Sequence, residues 1–143
     1  MQYYRDLMFS VIADLSADTA REFKERLRYR YHQDVAAHWR EISASVPVRD
    51  LETLRTLMFN AEDEQWGFKY IIDKVTPSLL VVRVTHCPLF QVLKEKGIPD
   101  LTFPLFCAAD EIRVREFDET VRLERPELLS QGGSQCVFRL SRP

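Results

Sequence analysis

Three cysteines carry most of the chemistry that this sequence offers, and all of them lie in its second half: Cys87, Cys107 and Cys136. A thiolate is both a strong nucleophile and a metal ligand, and it forms most readily at a helix N-terminus, where free N–H groups and the helix dipole favour negative charge. Cys87 precedes Pro88, which suits the first helical position, so Cys87 is expected at the N-cap. Cys107 lies three residues after Pro104 and falls in the first turn of a second helix. On that helix the three- and four-residue spacing places Cys107, Asp110, Glu111 and Val114 on one face and Leu105, Ala109 and Ile112 on the other. One side would then pack on the protein while the other carries a thiol and two carboxylates. Asp110 stands where an acid or base serves a neighbouring nucleophile.

Cys136 alternates with Phe138 and Leu140, which places it on the core side of a strand. Gly132-Gly133, just before it, allows a sharp turn or a close approach of backbone to a ligand. His86 adjoins Cys87 but points to the opposite side if the strand alternation holds, which argues against a Cys–His pair. The thiols should therefore differ. Cys87 is expected to titrate below an ordinary cysteine and to be alkylated first, Cys136 last, and Cys107 between them.

Thiols could instead bind a metal. Thiolate ligands suit zinc or iron, and Cys87, Cys107, Asp110 and Cys136 would together fill a tetrahedral shell. The only close spacing is Cys107-x-x-Asp110, however, and no paired CxxC occurs. No cofactor is required by any motif. With four glycines in the chain, neither GxGxxG nor GxxxxGK is present to cradle a phosphate.

Something must position these groups. Residues 3–15 read as a short helix, and a long one follows to about Ser43 with the stripe Phe23, Leu27, Tyr31, Val35, Trp39 and Ile42. His32 and His38 fall on or beside it without a carboxylate or cysteine at ligand spacing. Pro47 ends this helix and Asp50 can cap the next, whose buried face is Leu51, Leu54, Met58 and Ala61. The acid run Glu62-Asp63-Glu64 opposes the dipole at its end and reads as a solvated turn. From Trp66 the composition turns aromatic and β-branched. Trp66–Thr76 and Leu79–His86 form a hairpin around Thr76-Pro77-Ser78. Helices over Pro88–Lys96 and Pro104–Phe117 follow, then strands over Glu119–Glu127 and Gln135–Leu140. Helices followed by a ββααββ block make an α+β fold with a small four-stranded antiparallel sheet, one domain over 1–143, helical over 1–64 and carrying the sheet and site over 65–143.

Composition narrows the partners. The 143-residue chain has 29% charged residues and a net charge of −2, so it lacks the basic footprint of a nucleic-acid binder. Arg21–Arg30 is basic, but Glu22 and Glu25 interleave as on a solvated helix face. No apolar run is long enough for a bilayer span, and no signal peptide is visible. The expected setting is the cytoplasm, with a small-molecule substrate as partner, no nucleic acid, no membrane, and at most a second copy of the chain as a homodimer.

The sequence also resembles the L-2-amino-thiazoline-4-carboxylic acid hydrolase family. The resemblance lies in Cys87-Pro88-Leu89-Phe90, in Pro104-Leu105-Phe106-Cys107-Ala108-Ala109-Asp110-Glu111, and in Gly132-Gly133-Ser134-Gln135-Cys136-Val137-Phe138. It includes the Val121–Arg125 strand and spans about residues 66–141. It implies hydrolytic opening of a small sulfur- and nitrogen-containing ring acid to a carbamoyl-cysteine type product. Such a reaction needs a nucleophile or activated water, an acid for the leaving group and a cation for the substrate carboxylate. Under that resemblance Cys87 or Cys107 would be the nucleophile and Asp110 the acid or base. Arg83 or Arg125 would hold the carboxylate, with Glu111 and Cys136 beside the substrate. The layout is similar to vinyl-reductase-like ligand-binding domains, which allows a non-catalytic sensory role as the alternative.

Overall fold

The computed structural model describes residues 2–60 and 64–143. Among these, five α-helices precede and interrupt a four-stranded antiparallel sheet. They are α1 (Gln2–Asp14), α2 (Ala17–Ser45), α3 (Leu51–Met58), α4 (Pro88–Glu95) and α5 (Ala108–Phe117). The strands are β1 (Lys69–Val75), β2 (Leu79–His86), β3 (Arg122–Glu127) and β4 (Cys136–Ser141), in the sheet order β1-β2-β4-β3. This is the α+β layout that the sequence pattern predicts. The hairpin turns at Thr76, whose hydroxyl oxygen accepts from the Leu79 N–H at 2.9 Å. Asp50 caps α3 by accepting from the Thr53 N–H at 2.7 Å. Two expectations, Ala61 on the buried face of α3 and the acids Glu62-Asp63, lie outside the described residues.

The core sits between one face of the sheet and the helices. Leu80, Val82 and Val84 from β2 and Cys136, Phe138 and Leu140 from β4 meet Val35 and Trp39 of α2, Leu51 and Leu54 of α3, and Ala109, Val114 and Phe117 of α5. A second cluster ties α1 to the segment before α5, through Phe9, Ile12, Leu93, Leu101 and Leu105. The predicted stripe of α2 holds at Val35 and Trp39 and fails at Phe23, which is 40% exposed. Phe23 lies in the N-terminal half of α2, whereas the main cluster takes its two α2 residues further along, at Val35 and Trp39.

The helix expected over Pro104–Phe117 differs in one way that matters. Its first turn, Phe103–Cys107, is a π-helix, closed by the Ala108 N–H bonding to the Phe103 carbonyl. A π turn inserts an extra residue and rotates the side chains before it relative to those after it. The expected two-faced helix is corrected in its second half as well, where the cause is tertiary packing. Val114 is buried with Ala109 in the core, and only Glu111 of the predicted solvated face is exposed. Packing from two sides, by α2 and by the sheet, leaves this helix no broad wet face.

Candidate active site

A cavity of about 360 Å³ lies between α2, the sheet and the π turn. Cys87, Cys107, Asp110 and Cys136 all line it, beside Trp39, Phe106 and Phe138. The local folding that delivers each thiol is simple. Cys87 follows β2 in extended conformation and caps α4, its Sγ accepting from the Phe90 N–H at 3.5 Å. Cys107 is the last residue of the π turn, with its Sγ 3.4 Å from the Ser130 hydroxyl. Cys136 opens β4 on the core side, and its Sγ accepts from the Leu129 N–H at 3.4 Å.

Burial governs the thiols. It pushes Cys87 above its ordinary value, against the N–H groups of Phe90 and Leu89, which pull it down. The expectation that Cys87 titrates low is thus corrected, although its N-cap placement stands. The capping bonds compete with a desolvation that is larger. Burial also raises Cys107 to about 11, with Ser130 opposing and Asp110 adding to the rise. Cys136 rises to about 11 for the same first reason. All three are neutral thiols at neutral pH.

The carboxylate is held differently. Asp110 accepts from Arg113 Nη1 at 2.6 Å, and Arg113 Nη2 donates to the Tyr31 hydroxyl at 2.9 Å. Burial pushes the Asp110 carboxyl up, while Arg113 and then Arg125 draw it back down. Arg125 Nη1 stands 3.6 Å from Asp110 and also donates to the Cys107 carbonyl. Its Nη2 donates to Glu111 at 2.7 Å, and its guanidinium lies 5.7 Å from the centre of the Phe103 ring. Arg125 thus sits behind the cavity wall and braces the π turn.

Of the residues named from sequence, the structure brings Cys87, Cys107, Asp110 and Cys136 to one cavity. Arg125 stands behind its wall, Glu111 points to solvent, and Arg83 is elsewhere. Arg83 is on the outer face of the sheet, donating to Asp73 at 2.6 Å and 2.9 Å. Gly132 takes φ +88° to turn the chain, and a Cβ on Gly133 would stand 2.6 Å from Glu127 Cγ, so the first serves the turn and the second close packing. Among the described residues no group of three or more His, Cys, Asp or Glu side chains is placed to hold a metal ion. Cys87, Cys107, Asp110 and Cys136 thus share a cavity without forming a ligand set, and zinc or iron does not fit there.

Arg113 and Thr102 of the cavity escaped the sequence reading, and a third residue, His38, was named there without a role. Arg113 is three residues beyond Asp110, a spacing at which a helical ion pair is expected. His38 stands at the mouth, one residue from the buried Trp39. Thr102 had no signal in sequence at all.

The family follows from the whole chain. The model of the L-2-amino-thiazoline-4-carboxylic acid hydrolase family matches residues 2–140. The chain belongs to that family. Its membership thus covers the helical half as well as the segments that bear the cysteines. No curated protein and no solved structure matches the chain. No described helix is long and apolar enough to cross a membrane.

Proposed function

We propose that this family member is a hydrolase that opens a small cyclic amidine acid of the 2-amino-thiazoline-4-carboxylate type at the thiol-lined cavity. The observation that carries this reading is the convergence of three thiols and an arginine-paired carboxylate on one cavity of a size suited to a small molecule. Asp110 is the base. Its ion pair with Arg113 favours the carboxylate form against the burial that opposes it.

In the cysteine route the Cys87 sulfur bonds to the amidine carbon while its proton passes to Asp110. The ring bond to that carbon then breaks, and the departing ring atom takes the proton from Asp110. Water adds to the same carbon, the bond to Cys87 breaks, and the thiol regains a proton from that water. One water is consumed overall and a carbamoyl-cysteine type product leaves. Cys107, across the same cavity, is the second candidate nucleophile, and Cys136 packs beside the substrate.

Ring opening should be assayed with Cys87→Ser, Cys107→Ser and Asp110→Asn. We expect at least a hundredfold loss in Asp110→Asn and in one serine variant, the scale of removing a general base or a nucleophile. Wild-type rates in all three would end the proposal. A loss confined to Asp110→Asn would make water the direct nucleophile. The burial that raises every thiol favours a second reading, a binding domain without turnover. Binding of thiazolines with no product formed would select it.

A further inference from the structure

The cavity wall holds one polar group that the fold leaves unused. Thr102 is 1% exposed, and its hydroxyl has no hydrogen-bond partner among the described residues. It lines the same cavity as Cys107, Asp110 and Arg113. A buried hydroxyl without a partner loses its hydration for nothing in return, and native proteins contain few of them. Valine has nearly the same shape and would fill the position without that loss. An orphaned donor and acceptor on the wall of a ligand-sized cavity points to a partner that the protein itself does not supply.

The charges beside it say what kind. Two guanidiniums lie at this wall, Arg113 and Arg125, against one enclosed carboxylate, Asp110. The other acid, Glu111, pairs with Arg125 but is 68% exposed while Arg125 is 6% exposed. Water screens Glu111 far more than it screens the two arginines. The thiols add no negative charge. Arg113 lines the cavity itself, and the bonds to Asp110 and Tyr31 occupy only two of the five donors on its fork, which leaves donors for a further anionic acceptor.

We infer that Thr102 and Arg113 are the residues that recognise the ligand of this cavity, its carboxylate lying against the free donors of Arg113 and a second polar atom bonding the Thr102 hydroxyl. This deepens the proposed hydrolase reading by giving the cation and the hydroxyl that recognise its substrate, and it rests on the cavity being the ligand site. Specificity follows from the two ends. A neutral analogue leaves the remaining Arg113 donors without a charged acceptor, and an analogue without the second polar atom leaves Thr102 as lonely as in the free protein.

The test is Thr102→Val, with binding followed by titration calorimetry. The probes are 2-amino-thiazoline-4-carboxylate, its carboxamide, and two plain cyclic carboxylates, proline and thiazolidine-4-carboxylate. We expect Thr102→Val to melt at or above the wild-type temperature, because an unmet polar group is removed, yet to bind 2-amino-thiazoline-4-carboxylate about tenfold more weakly. The carboxamide should bind wild type at least about a hundredfold more weakly than the acid. Unchanged affinity in Thr102→Val overturns the inference. So does equal binding of acid and amide, or failure of every carboxylate to bind wild type. Carboxylate binding with the expected Thr102→Val loss, but no ring opening, would support the inference and remove the hydrolase reading.

Discussion

The two faces of the sheet use the same residue types to opposite ends. On the outer face Arg83 and Asp73 pair across β1 and β2, each about one-third exposed, and Glu127 accepts from the Ser134 N–H at 2.8 Å. Arg83 holds the Asp73 carboxyl below its ordinary value, and the bonds from Ser134 do the same for Glu127. On the inner face burial reverses the direction: Asp110 rises in spite of two arginines, and the thiols rise with it. A charged group in water is tuned by its partner, and one under a sheet is tuned first by what has been taken away from it. The proposed site lies on the inner face for that reason. Only there do neighbouring dipoles and charges act through a medium that does not screen them.

The largest expected effect comes from breaking the inner face at its brace. Arg125→Ala removes a guanidinium that bonds the Cys107 carbonyl and Glu111 and stands beside Asp110. Breaking a buried charge pair costs about 3–5 kcal/mol, a large share of the roughly 5–15 kcal/mol that a domain has. Urea unfolding followed by tryptophan fluorescence should show the midpoint fall accordingly. Arg125→Lys should recover only part of the loss, since a point charge cannot replace the planar fork. A change below about 1 kcal/mol in Arg125→Ala would mean that the inner face is as well screened as the outer one.

This contrast also explains what could be read from the sequence. The α+β order, the cap at Cys87, the core side of Cys136 and the hairpin at Thr76 are local or periodic features, and each followed from a few neighbouring residues. The structure brings Cys87, Cys107, Asp110 and Cys136 to the lining of one cavity, a grouping that no local pattern in the sequence determines. What failed depends on tertiary burial. A helix-start thiol has a lowered value only if it stays near water, and no local pattern says that Cys87 does not. Val114 joined the core because its helix is packed by α2 as well as by the sheet, which helical spacing alone cannot show. Arg83 looked equivalent to Arg125, because both lie on strands. The side of the sheet separates them, and at Arg83 the alternation could have settled it, since Val82 and Val84 flank it on the core side.

A smaller effect separates the faces by pH. Cys107 and Cys136 titrate at about 11 in the folded chain, against an ordinary value of 9.0. Between pH 9 and 11 the unfolded chain loses these protons while the folded chain keeps them. The native state then binds more protons, so stability falls as pH rises through this window, by on the order of 1 kcal/mol per thiol. The outer-face carboxyls of Asp73 and Glu127, lowered in the folded state, act in the opposite sense. Their stabilisation is present above their ordinary values and is lost as pH falls through their folded ones. Thermal melts from pH 8 to 11, with Cys107→Ser and Cys136→Ser as controls, should show an alkaline slope that shrinks in each variant. An unchanged slope in both would place the thiols in contact with water.

The smallest effect belongs to Arg83. Sequence alone made it a candidate for the substrate carboxylate, and the structure gives it to Asp73 on the face away from the cavity. The pair is about one-third exposed on both sides, so solvent and salt screen it. Exposed pairs of this kind are worth about 0–1 kcal/mol. Arg83→Ala should therefore lower stability by no more than that. It should also leave the affinity for 2-amino-thiazoline-4-carboxylate and the rate of ring opening at wild-type levels. The same measurements on Arg113→Lys, which keeps the charge beside Asp110 but gives up the fork, should show weaker binding. A loss of affinity in Arg83→Ala as large as in Arg113→Lys would mean that the ligand reaches the outer face, and the assignment of carboxylate recognition to the cavity would have to be reversed.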